Sequence, residues 1–139
     1  MSIEENLKLS KDNLRAYNEH DLDQLFESWE DQEVGLARKE FQRDFWLTAF
    51  PDTHMEATVW TAQDDRVVLE AIVRATHLGT LNFWVTEPLP ATNRKIEFPI
   101  CEIFHWKNGK LKKIQAYLDR GRIFKQLGFE DRVDWEQFS

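Results

Sequence analysis

Cysteine is nearly absent from the sequence, and long apolar runs are absent altogether. The single cysteine, Cys101, excludes a disulfide within the chain and a cysteine-based metal site. No apolar run approaches the roughly 20 residues that a membrane-spanning helix needs. The polar and acidic residues 1–6 do not resemble a signal peptide. These absences predict a soluble, cytoplasmic protein with no membrane among its partners.

The sequence also lacks the common catalytic motifs. It has no glycine-rich phosphate loop, no Gly-x-Gly-x-x-Gly and no Gly-x-Ser-x-Gly, which argues against nucleotide-dependent hydride transfer and serine hydrolysis. The four histidines, at positions 20, 54, 77 and 105, form no His-x-His and no pair four residues apart on a helix. The sequence therefore predicts no metal site.

Aromatic residues and negative charge are abundant. Among 139 residues there are 10 Phe, 6 Trp and 2 Tyr, enough both to build a core and to line an apolar pocket. The net charge is −7, which speaks against nucleic acid as a partner because nucleic-acid binding requires a basic surface. The length favours a single domain over residues 1–139.

Helical periodicity dominates the first 50 residues, and strand alternation dominates the remainder. We expect a helix over about residues 3–19, a second helix after Asp21 and a third around 41–49. Strands are expected over 55–62, 66–77, 81–86, 96–106 and 111–118, and a closing helix over 121–127. Helices followed by strands predict an α+β fold in which helices cover one face of a curved antiparallel sheet.

Two registers are open for the last hairpin of this sheet. A two-residue turn at Asn108 and Gly109 pairs Trp106 with Leu111, whereas a three-residue loop with Gly109 as a bulge pairs Trp106 with Lys110. The second register is favoured because it gathers one set of apolar side chains on a single face. This apolar hairpin face consists of Ile96, Phe98, Ile100, Phe104 and Trp106 beside Ile114, Ala116 and Leu118. His105 and Asp119 then share the opposite face, several residues apart.

Asp119 and His105 are the residues that could carry acid–base chemistry. Asp119 ends a strand just before a predicted helix. It either caps that helix or, in a dry pocket, removes a proton next to a carbonyl. His105 is either a structural residue or a hydrogen-bond donor to a developing enolate oxygen. His77, at the end of a strand, either lines the mouth of the same cavity or marks the strand end.

Several short motifs, taken in order along the chain, resemble those of one family. They are Tyr17-Asn18-Glu19-His20-Asp21, Phe50-Pro51-Asp52, Asp65-Arg66-Val67-Val68, Thr76-His77-Leu78-Gly79, the segments 90–94 and 103–111, Tyr117-Leu118-Asp119-Arg120 and Gln126-Leu127-Gly128. Their order and spacing over about residues 10–129 resemble the SnoaL-like polyketide cyclases. That family lies within the nuclear transport factor 2-like superfamily, which also contains the ketosteroid isomerases.

The resemblance implies a cone-shaped α+β barrel, open at one end, with an apolar cavity between sheet and helices. It implies Asp119 as the general base and His105 as a contact to the substrate's oxygens. The cyclase reaction is an intramolecular aldol closure that needs no metal and no cofactor, so none is expected. The cyclases place a glutamine two positions before this histidine, where the chain has Ile103, and one substrate contact therefore differs.

Three functional hypotheses follow. The first is a cofactor-independent cyclase or isomerase acting on an apolar carbonyl compound, with the acid–base roles given above and with His77, Tyr117, Ile103 and Trp46 contacting the substrate. The second is a non-catalytic domain that binds an apolar small molecule in the same cavity. The third is a dimerisation module that pairs the apolar hairpin face with a second copy. A homodimer is expected alongside either of the first two functions.

Overall fold

A four-stranded antiparallel sheet, in the order β1-β2-β3-β4, is the frame of the structure. The structure, a computed structural model, describes residues 2–138. The strands are β1 (His54–Gln63), β2 (Arg66–Thr76), β3 (Lys95–Lys107) and β4 (Lys110–Leu118). The helices are α1 (Ile3–Glu19), α2 (Leu22–Phe26), α3 (Gln32–Phe41), a π-helical turn (Gln42–Trp46), α4 (Leu47–Ala49) and α5 (Arg120–Leu127), with 3₁₀ turns at Glu130–Arg132 and Trp135–Phe138. The predicted α+β fold with a curved antiparallel sheet is confirmed.

Capping side chains explain where the first helices begin. Ser2 accepts a hydrogen bond from the Glu5 backbone N–H at the start of α1, and Asp21 caps α2 in the same way. Asp31 accepts from two backbone N–H groups and starts α3, well before the third helix expected around 41–49. The apolar segment 34–37 therefore belongs to α3. No helix within residues 2–138 is both long and apolar enough to cross a bilayer.

Side chains alternate along β2 as the sequence predicts. Val67, Leu69, Ala71, Val73 and Ala75 are buried, and the residues between them are half-buried or exposed. The buried row faces the helices, because Val73 shares a cavity with side chains of α1, α2 and α3. This helix-covered side is called the inner face of the sheet below, and the opposite side is its outer face.

The strand predicted over 81–86 is wrong, since the segment 77–94 crosses the molecule as a loop. Leu81, Phe83 and Val85 are buried in alternation, which explains the strand-like pattern. Within the described residues, their backbone pairs only through isolated bridges from Leu81 to Leu89 and from Val85 to Val133. The alternating burial of these side chains therefore results from a loop that packs on the core and has no partner strand within residues 2–138.

The hairpin of β3 and β4 combines both registers that the sequence left open. Its turn is the two-residue type, with Asn108–Gly109 at φ values of 50° and 76° and with Trp106 opposite Leu111. The next pair is His105 with Lys113, so one residue of β4 is bulged between the two pairs. The bulge shifts the in-and-out alternation of β4 side chains by one residue. The predicted pairing of Trp106 with Lys110 is wrong, but the bulge restores the predicted grouping of side chains on each face.

The apolar hairpin face is not available as a dimer surface. Ile96, Phe98, Phe104 and Trp106 are each at most 2 % exposed within a single chain. They are buried because this face is the inner face of the sheet, where helices and the loop 77–94 cover it. The hypothesis that two copies pair through the apolar hairpin face is therefore wrong.

We expect Gly79→Ala to lower the free energy of unfolding by about 1–3 kcal/mol, the usual penalty of overpacking. Gly79 donates its backbone N–H to the Ala49 carbonyl at 3.2 Å. A methyl group at this position would lie 1.9 Å from the Thr48 carbonyl oxygen, which is fixed backbone. Urea unfolding measures the change.

The matched control is Gly121→Ala in α5. A methyl group there lies 3.2 Å from the Asp119 carboxylate oxygen that caps α5, a longer approach and to a side-chain atom, not to backbone. We expect this control to change stability by less than about 1 kcal/mol. Equal losses from the two substitutions would contradict the close approach at Gly79.

Candidate active site

A cavity of about 440 Å³ lies between the inner face of the sheet and helices α1 to α3. Most of its wall is apolar, including Leu25, Trp29, Phe41, Trp46, Phe98 and Ile114. A few polar side chains also reach it, namely Asn13, Tyr17, Arg38, Gln42 and Glu102. An apolar enclosure of this size with a few converging polar groups is typical of a small-molecule site.

Glu102 places a carboxyl group in the apolar wall. It lies on the inner face of β3 between Ile100 and Phe104, and it pairs with Ala116 of β4. Burial raises the Glu102 pKa to about 7, and the positive charge of Arg38 opposes this rise only in part. No hydrogen bond among residues 2–138 involves the Glu102 side chain. The carboxyl group is therefore free to contact a ligand and gains or loses its proton near neutral pH.

Tyr17 presents a hydroxyl group to the same cavity from α1. Its Oη lies 2.7 Å from Thr53 Oγ1 and accepts a hydrogen bond from Trp46 Nε1 at 3.1 Å. Burial raises the Tyr17 pKa to about 12, and the nearby charge of Glu102 adds to the rise. The Tyr17 hydroxyl therefore keeps its proton at all ordinary pH values.

The hydrogen bonds around Thr53 limit the directions open to the Tyr17 proton. Thr53 is buried, and its hydroxyl contacts two side-chain groups within residues 2–138, Tyr17 Oη and Trp46 Nε1. The indole N–H of Trp46 only donates, so the Thr53 hydroxyl can donate only to Tyr17 Oη. A buried hydroxyl that did not donate would lose a hydrogen bond at a cost of about 1–3 kcal/mol. Either hydroxyl of the Tyr17–Thr53 pair can be the donor, and Gln42 also hydrogen-bonds Tyr17. When Thr53 donates, the Tyr17 proton is available to a ligand.

Asp119 and His105 lie outside this cavity. Asp119 is exposed and caps α5, where its carboxylate accepts a hydrogen bond from the Arg122 backbone N–H at 3.1 Å. His105 lies on the outer face, with its Nε2 atom 2.8 Å from Gln115 Oε1. The two residues line separate surface grooves, so the structure does not bring them together in one pocket. Asp119 therefore caps α5, which is one of the two interpretations that the sequence left open.

Of the four predicted substrate contacts, the structure places one in the cavity. Trp46 lines it, whereas Ile103 and Tyr117 project from the outer face. His77 is fully buried beneath the loop that follows β2, and its Nδ1 atom lies 2.9 Å from Thr92 Oγ1. It therefore holds that loop and does not reach the cavity.

Sequence reasoning missed Glu102, although a signal was present. Every second residue from Ile96 to Trp106 is apolar except Glu102, so a single charge interrupts the predicted apolar hairpin face. A lone carboxylate in such a row predicts either a mistaken register or a functional group. For Arg38, no signal in the sequence separates it from other surface basic residues of an amphipathic helix. Among residues 2–138, no three His, Cys, Asp or Glu side chains cluster closely enough to hold a metal ion.

Glu102→Gln should stabilise the protein increasingly as the pH rises from about 4.5 through 7. The folded-state pKa of about 7 exceeds the unfolded value near 4.3, so between them the folded protein holds a proton that the unfolded chain has lost. Wild-type stability therefore falls by about 1.4 kcal/mol per pH unit across this window, roughly 4 kcal/mol in all. Urea unfolding from pH 4.5 to 8 measures the gain of the variant.

Asp119→Asn is the control for this titration, because it removes an exposed carboxylate while asparagine still caps the helix. We expect it to lack the pH-dependent gain of Glu102→Gln. If the stability of Glu102→Gln runs parallel to that of wild type across the window, the Glu102 carboxyl does not titrate in the cavity as described.

Comparison with known proteins places the chain in a family. The family model of the SnoaL-like polyketide cyclases matches residues 11–127. Among solved structures, AclR from Streptomyces galilaeus, proposed to be a hydroxylase, superposes with a TM-score of 0.77 at 22% identity, covering 91% of this chain and 98% of its own. IdmH from Streptomyces antibioticus, proposed to be a polyketide cyclase, gives 0.68 at 20% identity, with coverage of 88% and 98%. At these identities the two structures support the fold alone.

No curated protein matches the chain. The family model spans most of the sequence, and the chain belongs to the SnoaL-like polyketide cyclase family.

Proposed function

We propose that the protein is a cyclase or isomerase that acts on an apolar carbonyl compound, with Glu102 as its general acid and base. One observation carries the proposal: a carboxyl group with a pKa of about 7 and no protein hydrogen bond within residues 2–138 faces an apolar cavity. A general base is most effective when its pKa lies near the working pH. Tyr17 supplies a hydrogen-bond donor in the same cavity.

The proposed step begins with ionised Glu102. Its carboxylate takes a proton from the carbon next to the ligand's carbonyl, and the electron pair of that C–H bond moves toward the carbonyl oxygen. The Tyr17 hydroxyl donates a hydrogen bond to the resulting enolate oxygen. In cyclisation the enolate carbon bonds to a second carbonyl carbon of the same molecule, and the new alkoxide takes the proton back from Glu102. In isomerisation Glu102 returns the proton to a different carbon. No electrons are gained or lost in either route.

Asp119 is the competing candidate for the general base, because the resemblance to the cyclases assigns it that role. Its position at the cap of α5 keeps the carboxylate in solvent and away from the cavity wall. The geometry therefore favours Glu102, and the substitutions below separate the two residues.

A non-catalytic binding domain is the alternative function. The apolar wall suits a hydrophobic small molecule whether or not a reaction follows. Homodimeric assembly and a cytoplasmic location stay predictions from the sequence. Sedimentation velocity tests the first of these directly.

We expect the protein to accelerate hydrogen–deuterium exchange at C1 of 2-tetralone, a neutral two-ring ketone small enough for the cavity. Proton abstraction beside a carbonyl is the step that the proposal assigns to Glu102, and exchange reports it without a known product. Relative to wild type, Glu102→Gln should slow the catalysed rate by about 10²- to 10⁴-fold. Tyr17→Phe should slow it by about 100-fold, since it removes one donor to the enolate oxygen. NMR in D₂O follows the exchange, with the rate in buffer subtracted.

Asp119→Asn is the matched control in this assay and should stay within about twofold of wild type. A large loss in Asp119→Asn with little loss in Glu102→Gln would make Asp119 the base and overturn the proposal. A wild-type rate equal to that of buffer, with 2-tetralone bound, would favour the non-catalytic binding domain.

A further inference from the structure

Arg38 lines the cavity with a cation that forms no ion pair among residues 2–138, although Glu102 is near enough to interact with it electrostatically. Its guanidinium carbon lies 4.7 Å above the ring centre of Trp29, so the aromatic ring holds the side chain against the cavity wall. No carboxylate within residues 2–138 forms an ion pair with it. Two basic residues close to it in the sequence do form ion pairs: Lys39 pairs with Asp23, and Arg43 pairs with Asp44 at 2.8 Å.

Arg38 is an exposed residue that also lines the cavity, and its guanidinium is only partly removed from water. Desolvation lowers the Arg38 pKa, and the charge of Glu102 compensates only in part. Glu102 itself carries a full negative charge only above about pH 7. A guanidinium group that is partly removed from water and lacks a fixed partner gains most from an anion that arrives with the ligand.

We infer that the cavity takes an apolar, ring-bearing molecule that carries one carboxylate, with the carboxylate on the Arg38 guanidinium and the rings against the apolar wall. The inference rests on the proposed function in treating this molecule as the class of substrate. Trp29, Phe41 and Phe98 supply flat contact surfaces, and the planar guanidinium matches a carboxylate with two parallel hydrogen bonds.

The same arrangement links ligand charge to the proton on Glu102. Arg38 and Glu102 line one cavity and interact electrostatically. A bound carboxylate neutralises Arg38 and adds a negative charge near Glu102. Both changes disfavour the ionised form of Glu102. Binding of a carboxylate above pH 7 is therefore accompanied by more proton uptake than binding of a neutral analogue, which changes only the solvation of Glu102.

Calorimetry with naphthalene-2-carboxylate and its neutral isostere 2-naphthamide tests the inference at pH 7.5. Wild type should bind the carboxylate at least tenfold more tightly than the amide, the usual advantage of a charge-assisted hydrogen bond. Arg38→Gln should lose this preference, so that the two probes bind with similar affinity. Arg43→Gln, which removes a paired arginine outside the cavity, should keep the preference for the carboxylate.

Titrations in phosphate and in Tris should show proton uptake with the carboxylate in wild type and none in Glu102→Gln.

Equal affinity of wild type for the two probes, or no measurable binding of the carboxylate, overturns the inference. Retention of the preference in Arg38→Gln also overturns it. These failures are distinguishable from failure of the proposed function, because the exchange assay uses a neutral ketone and depends on Glu102. Wild-type exchange that depends on Glu102, together with equal binding of the two naphthalene probes, would retain the acid–base proposal and remove the carboxylate.

Discussion

Alternation of side chains along β3 is the constraint on which the candidate site depends. It places Ile100, Glu102 and Phe104 on the inner face, and it places His105 on the outer face. Two residues that are three apart on one strand cannot share a face without a bulge between them. The bulge in this hairpin lies beyond His105, on the turn side, so it does not bring His105 to the cavity. The identity of the charged residue in the cavity follows from this geometry.

The cavity persists because large rigid side chains surround it. Trp46 packs against Phe50 and Phe98, with ring centres 4.7 and 6.4 Å apart, and its indole N–H is bonded to Tyr17. The hydroxyl of Tyr17 is in turn anchored by Thr53. Aromatic rings cannot collapse into the space as flexible aliphatic chains can, and each polar edge in this group has a partner. The network therefore keeps an open space beside Glu102 and fixes the Tyr17 hydroxyl at the cavity wall.

Much of the fold could be predicted from the periodicity of apolar residues, whereas the site could be located only from the positions of the strands and helices in the structure. The row from Val67 to Ala75 and the cap at Ser2 are local patterns, and each is present in the structure. The strand predicted over 81–86 is absent, because the side chains of a loop that packs on a core can be buried in alternation, as those of a strand are. The family resemblance was right about the fold. Its transfer of roles to Asp119 and His105 is not supported by where the structure places them. The sequence predicted which side chains share a face of the hairpin, but it did not show that the cavity lies on the face that carries Glu102.

The account depends most on the state of one carboxyl group. Its charge controls whether the cavity can abstract a proton, and its neutrality at lower pH relieves the apolar wall of a buried anion. The most direct measurement is a carbon-13 NMR titration of the glutamate side-chain carboxyl groups, with the Glu102 signal assigned by Glu102→Gln. The account predicts that this signal titrates with a pKa of about 7. A pKa close to the ordinary glutamate value of about 4.3 would show a solvated carboxylate and contradict the account.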